Sequence, residues 1–268
     1  PNCNLHLLAE QFLSKVNVPK CNIYNINGSI PQEYVPEYCH NYEERIAQLG
    51  GIDVAVLGIG LAGNIALNVT GSQRNSHTRL VLLDPTSRGE AARTFDGAAG
   101  EGPMCGITMG VSTIRSAQNI FLLAWGDQKA KVVKKTVEGD VNDQMSATFL
   151  QMHNNTKVFL DLAAANRLTR IRCPWLVTSC EWDAKLTRSA IVWLCNVTGK
   201  PILKLTAKDY NEQGLGELLA IYGSAYSVNI KVFNDLQHTI TGWPGGKPDS
   251  DDTYRPERAN PFPKRVIV

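Results

Sequence analysis

Short apolar runs recur through the first 165 residues and constrain the fold more than any other feature of the chain. Four such runs lie at residues 52–57, 80–83, 119–125 and 158–162. Runs of this length are typical of buried strands. Helical periodicity marks residues 5–16, 36–49 and 129–138. Because strands and helices alternate, the sequence predicts an α/β fold with a three-layer, Rossmann-like and mostly parallel sheet.

The last third of the chain has a different pattern. Its first part carries helical apolar stretches, whereas its end is rich in Pro, Gly and charged residues and has no periodicity. We expect a main domain at residues 1–175, a helical C-terminal extension at residues 176–241 and a linker at residues 242–268 towards a second domain. Since the chain begins without Met and ends on a strand-like run, we expect a fragment of a longer protein.

Composition excludes several classes of function. The 27 Lys and Arg residues nearly balance the 25 Asp and Glu residues, which leaves a net charge of +2. This balance gives no electrostatic reason to expect nucleic acid or a membrane surface as a partner, although a few local cations suffice for a small anion. No apolar run approaches the roughly 20 residues of a membrane span.

Cysteine and histidine usage gives no sign of a metal site. The 7 cysteines are scattered without a C-x-x-C pair, and the 5 histidines show no ligand spacing. Disulfide frameworks and zinc sites need paired or closely spaced ligands. We therefore expect reduced thiols, a cytoplasmic location, no metal and no cofactor.

A glycine-rich turn follows the first predicted strand. Gly58, Gly60 and Gly63 have the G-x-G-x-x-G spacing of dinucleotide-binding folds, and Asp84 ends the next apolar run, where such folds place a ribose-binding acid. Only residues 64–69 between them have a helical pattern, too short for a crossover helix. The alternatives are that the glycines admit an anion or a sugar close to the backbone, or that the turn is only a bend.

Residues 54–72 resemble the signature of the glucosamine-6-phosphate deaminase/isomerase family, whose superfamily includes 6-phosphogluconolactonases. The signature is G-x-G-x-D-G-H-I-A-F-N-E-P-G-S, and this chain has G-I-G-L-A-G-N-I-A-L-N-V-T-G-S. The blocks SHTRLVLL, GITMGVSTI, WGDQKA and VEGDVNDQMSATFLQMH also resemble family blocks in the same order. The resemblance covers residue 1 to about residue 165.

The resemblance implies a role in amino-sugar phosphate metabolism, with a small phosphorylated amino sugar as ligand. The family converts glucosamine 6-phosphate to fructose 6-phosphate and ammonia. The resemblance also leads us to expect that the protein self-associates into a homo-oligomer. The part of the chain from residue 176 resembles the extension of bacterial two-domain proteins in which a deacetylase-like domain is fused behind the deaminase-like one. A fused second domain is therefore an expected partner.

The resemblance also shows which catalytic groups are missing. The positions of the family's Asp, His and Glu hold Ala62, Asn64 and Val69 in this chain. None of these three side chains exchanges a proton near neutral pH. General acid–base help contributes about 10²- to 10⁴-fold per group, so three losses argue against the family reaction. The family's carboxylate base lies on a segment that would precede residue 1.

The expected phosphate contacts are better preserved. Arg93 and Lys129 stand where the family has a phosphate-binding arginine and lysine, and both suit a phosphate because one offers a planar fork and the other a point charge. The alternative for Lys129 is a lysine whose ammonium group is solvated at the protein surface and binds no ligand. Two functions therefore stay open beside the less favoured dinucleotide binding: an enzyme of the deaminase/isomerase class, or a catalytically inactive sugar-phosphate-binding or scaffolding domain that serves the fused domain.

Overall fold

The computed structural model of the chain describes residues 4–94 and 102–241, with side chains described for residues 6–92 and 102–240. The chain divides into two compact units, Pro1–Leu168 and Thr169–Val268. The predicted linker at residues 242–268 lies outside the described residues. The roles assigned to the main domain and to its extension stay predictions.

The first unit contains short strands with helices between them. In chain order its elements are α1 (Asn4–Gln11), α2 (Val35–Gln48), β1 (Val54–Gly58), β2 (Arg79–Leu82), α3 (Pro85–Thr94), β3 (Cys105–Thr108), α4 (Val111–Arg115), β4 (Asn119–Ala124), α5 (Ala130–Glu138), β5 (Thr156–Leu160) and α6 (Leu162–Ala165). A 3₁₀ turn, Asp127–Lys129, leads into α5. The helix predicted at residues 5–16 ends earlier, at Gln11.

A three-stranded parallel sheet organises this unit and confirms the predicted α/β class. Its strand order is β1-β4-β5, with Val54 opposite Asn119 and Ile120 opposite Thr156. The central strand β4 buries Ile120 and Leu122, because it has a neighbour on each side. These side chains pack with Ile65 in the core of the unit.

The remaining two strands form a separate antiparallel pair. Strand β2 pairs with β3, with Arg79 opposite Thr108 and Leu82 opposite Cys105. The sequence predicted β2 but gave no strand signal at β3, whose four residues have no alternating pattern. Strand β1 also differs from its prediction, because Val54 and Val56 are exposed although a buried strand was expected.

The second unit is helical, as the sequence predicted for this part of the chain. Its helices are α7 (Thr169–Arg172), α8 (Ala184–Thr198), α9 (Ala207–Glu212), α10 (Gly216–Tyr222) and α11 (Ala225–Thr241). Leu194, Leu215, Leu218 and Val228 are fully buried in its core. None of the helices in the described part of the chain is both long and apolar enough to cross a bilayer.

One carboxylate connects three elements of the first unit. Glu43 on α2 accepts hydrogen bonds from the Thr78 backbone N–H (2.7 Å), the Thr78 hydroxyl (2.5 Å) and the Thr113 hydroxyl of α4 (2.6 Å). Burial raises the pKa of Glu43, but these hydrogen bonds and the charge of His77 outweigh it, so the pKa lies below its usual value. The ionised side chain therefore stabilises the fold.

We predict that Glu43→Gln lowers the free energy of unfolding at neutral pH by about 1–2 kcal/mol, because charge-assisted hydrogen bonds become neutral ones. A lowered pKa means that the contribution is present above the unfolded-state pKa of glutamate and is lost as the pH falls through the folded-state value. Urea unfolding at several pH values checks this. Glu44→Gln, at an exposed neighbouring position, is the control. A difference between Glu43→Gln and wild type that persists in acid would contradict the prediction.

Candidate functional site

The glycine turn leaves the carboxyl end of β1 as a series of tight bends rather than as a helix. The Gly60 N–H donates to the Asn64 carbonyl (2.9 Å), and the Gly63 N–H donates to the Gly60 carbonyl (2.9 Å). Gly63 has φ +82°, and Ala66 follows at φ +48°. These positive φ values exclude the helix predicted at residues 64–69.

Two glycines of the turn are required by their surroundings. A Cβ on Gly60 would lie 2.0 Å from Asn64 Oδ1, and a Cβ on Gly63 would lie 2.3 Å from Met145 Cγ. Gly58, in contrast, has open space at its Cβ position. The Gly60 and Gly63 N–H groups already donate within the turn, so ligand contact through them needs a rearrangement of these bonds.

The polar groups of the following bends are held by buried side chains. The Asn68 amide donates to the Ile65 carbonyl (3.1 Å) and the Met109 carbonyl (2.9 Å). The Ser146 hydroxyl donates to the Asn68 carbonyl (2.6 Å) and accepts from the Ile65 N–H (3.2 Å). The block around Ser146 therefore fixes the turn, a role that its sequence did not indicate.

The three matched catalytic positions lie in this turn and carry no titratable group. Asn64 is buried, its amide donates to the Ala66 carbonyl (3.0 Å), and its Oδ1 has no hydrogen-bond partner among the described residues. Ala62 and Val69 are half-buried. The turn as it stands therefore offers no side chain that could act as a general acid or base.

Lys129 lies against the same turn. Its Nζ donates to the Ile59 carbonyl (2.8 Å) and lies 3.4 Å from Glu90 Oε1. The Lys129 side chain is only 17% exposed, so the solvated surface charge considered above is not what the structure shows. The Gly126 N–H, which donates to the Asp161 carboxylate at 3.1 Å, anchors the backbone just before this lysine.

Glu90 on α3 is the residue of this site that the sequence did not indicate. Its Oε1 accepts the Leu61 N–H (3.1 Å) and is the same atom that faces Lys129 Nζ. The backbone of Arg93 lies on α3 three residues later, and its side chain lies outside the described part. Positions three apart share a helix face, so this spacing could have pointed to Glu90.

The acid considered for ribose binding has a different role here. Asp84 accepts hydrogen bonds from the Thr86 N–H (2.8 Å) and the Ser87 N–H (3.0 Å) at the start of α3. Burial raises the pKa of Asp84, but the bonds from Ser87 and Thr86 lower it below its usual value. Since β2 pairs with β3 and no helix joins β1 to β2, this arrangement differs from a dinucleotide-binding βαβ unit.

Within residues 4–94 and 102–241, no group of three or more His, Cys, Asp or Glu side chains is arranged to hold a metal ion. Lys129 and Glu90 are titratable side chains that contact the turn from other elements of the fold. The arrangement can bind a small polar or charged ligand by hydrogen bonds and charge, and the described residues offer no proton-transfer pair within the turn itself.

Comparisons with known proteins point to one family. The sequence model of the glucosamine-6-phosphate isomerases/6-phosphogluconolactonase family matches residues 1–159. A glucosamine-6-phosphate deaminase-like protein of Bacteroides thetaiotaomicron is 60% identical over 267 residues, which are 100% of this chain and 40% of that protein. The glucosamine-6-phosphate deaminase of Oceanobacillus iheyensis is 41% identical over 160 residues, 59% of this chain and 63% of that one.

A solved structure extends the likeness to three dimensions. A monomeric glucosamine-6-phosphate deaminase superimposes with a TM-score of 0.57 at 30% identity, over 60% of this chain and 66% of that one. The chain thus spans 40% and 63% of the length of the two relatives named above.

We predict that Gly63→Ala lowers the free energy of unfolding by about 2–4 kcal/mol, because it adds left-handed backbone strain to a clash with Met145. Gly71→Ala is the matched control, since Gly71 has φ +86° and open space at its Cβ position. That variant should lose only the backbone contribution, about 1–2 kcal/mol. Chemical denaturation of both variants measures the difference. Equal losses would show that the Met145 contact relaxes at no cost.

Proposed function

Because the chain belongs to the glucosamine-6-phosphate isomerases/6-phosphogluconolactonase family, we propose that it binds a phosphorylated amino sugar at the turn after β1 and does not deaminate it. The observation that carries this proposal is the position of Lys129, whose ammonium group is held against the Ile59 carbonyl at the carboxyl end of the sheet. Ligands of parallel sheets bind outside the carboxyl ends of the strands.

Several contacts support a phosphate at this point. Lys129 immediately precedes α5, so its backbone lies at the N-terminus of that helix, where the helix dipole favours a bound anion. Helix α3 touches the turn through Glu90, and Arg93 follows on the same helix. We propose that Arg93 and Lys129 together bind the phosphate group, which carries up to two negative charges near neutral pH.

The proposal of binding without turnover rests on the three substituted positions. Ala62, Asn64 and Val69 offer neither a proton nor a charge, and Asn64 is tied into the turn by its own hydrogen bond. A deaminase needs proton transfer at the sugar carbons and help in opening the ring. The second candidate, an active deaminase whose acid–base groups come from outside the described residues, is the alternative outcome of the test.

The wider setting stays part of the same proposal. A relative that is 60% identical extends well beyond the part matched here, which supports a fused second domain as the partner that such a binding unit serves. We also propose a cytoplasmic location and leave the expected self-association to direct measurement.

Lys129→Ala should weaken binding of glucosamine 6-phosphate at least about tenfold, because a charge-assisted hydrogen bond to phosphate is lost. Isothermal titration calorimetry measures the dissociation constant. Lys131→Ala is the matched control, since Lys131 lies two residues later, on α5, and is exposed. Equal affinities of the two variants would remove Lys129 from the phosphate site.

Ammonia release from glucosamine 6-phosphate tests the absence of turnover. We expect no release by the natural protein. The triple variant Ala62→Asp, Asn64→His and Val69→Glu restores the family's groups in the turn, and any release that it gains measures how much chemistry the turn has lost. Release by the natural protein above the uncatalysed background would establish the alternative, an active deaminase.

A further inference from the structure

We propose that Glu90 is a specificity-determining residue that occupies part of the anion-binding position and weakens the binding of phosphate esters. The inference rests on the proposed function, because it concerns the same Lys129. It goes beyond that function because it assigns to the chain itself a negative charge at the position where the negatively charged phosphate of the ligand would bind.

The contacts of Glu90 are those of a bound anion. Its Oε1 accepts the Leu61 backbone N–H at 3.1 Å and lies 3.4 Å from Lys129 Nζ. A backbone N–H of a glycine-rich turn and a lysine ammonium are the two kinds of donor that cradle phosphate oxygens in glycine-loop sites. Here one carboxylate oxygen takes both donors.

The position of Glu90 makes its charge effective. The side chains of Glu90 and Lys129 are 29% and 17% exposed, so water screens their interaction less than it screens a surface pair. A phosphate bound to Lys129 would lie within a few ångströms of the Glu90 carboxylate, and like charges at such distances repel each other strongly. Either the ligand binds against this repulsion or Glu90 turns away and gives up its bond to Leu61.

The hydrogen bond to the turn does not require a charge on residue 90. The Leu61 N–H needs an acceptor, and a glutamine amide oxygen can provide it with the same side-chain length. Glu90→Gln can therefore keep the hydrogen bond to the Leu61 N–H while it removes the negative charge that faces Lys129. The variant separates the effect on the ligand from the effect on the fold.

The experiment measures dissociation constants by calorimetry for wild type, Glu90→Gln, Lys129→Ala and the double variant. Glucosamine 6-phosphate and inorganic phosphate are the ligands, and glucosamine without phosphate is the control ligand. Glu44→Gln removes the same charge at an exposed site on α2, where Glu44 pairs with His40. Thermal unfolding of each variant verifies that it is folded.

We expect Glu90→Gln to bind both phosphate ligands at least about fivefold more tightly than wild type, because repulsion between like charges is removed. This gain should disappear in the Lys129→Ala background and should be absent for glucosamine and for Glu44→Gln. Tighter binding that persists without Lys129, or that extends to glucosamine, would overturn the inference, since a general loosening of the turn would then explain it.

The remaining outcomes separate this inference from the proposed function. If wild type binds the phosphate ligands through Lys129 and Glu90→Gln does not bind more tightly, the inference fails and the proposed function stands. If only Glu90→Gln binds, the inference stands, and the natural protein does not bind sugar phosphates at this site. If neither protein binds, both proposals fail.

Discussion

The parallel pairing of β1 with β4 is the constraint on which the site depends. Gly58 lies opposite Leu123 in this register, so both strands end at the same edge of the sheet. The glycine turn leaves one strand there, and the segment that carries Lys129 leaves the other. The hydrogen bond from Lys129 Nζ to the Ile59 carbonyl connects these two segments. The proposed ligand site therefore lies where the topology brings these two segments together.

Three positions of the family signature carry side chains in this turn that do not titrate near neutral pH. Where the family signature has an acid and a histidine, this chain has a methyl group and an amide that bonds to its own backbone. Asn68 and Ser146 satisfy the neighbouring backbone groups from buried positions. Buried polar groups are costly when they are unpaired, so these bonds stabilise the shape of the turn whichever residues occupy the three signature positions. The signature's glycines and the bends that they form are therefore compatible with Ala62, Asn64 and Val69.

The sequence predicted the elements that have a strong hydrophobic pattern. It missed those that depend on contacts between residues distant in sequence. The apolar run at residues 119–125 predicted strand β4, which is the central strand of the sheet, where a strand with neighbours on both sides has to be apolar. Strand β3 was missed since its four residues acquire their strand conformation only beside β2. The expected helix at residues 64–69 was wrong because local propensity cannot anticipate Gly63 and Ala66 at positive φ. At the site, the resemblance indicated Lys129, whereas Glu90 was missed because its partners Leu61 and Lys129 are distant in sequence.

Two opposite charges, on Lys129 and Glu90, lie beside the turn. A lysine that is mostly buried needs a counter-charge, and the Glu90 carboxylate lies 3.4 Å from its ammonium group. The same pairing opposes a phosphate, since the ligand has to compete for the ammonium group and lies close to the carboxylate. We propose that a site with a cation, with its own anion and without the family's acid–base groups in the turn is suited to reversible binding rather than to turnover. The three substituted turn positions and Glu90 support this proposal from different elements of the fold.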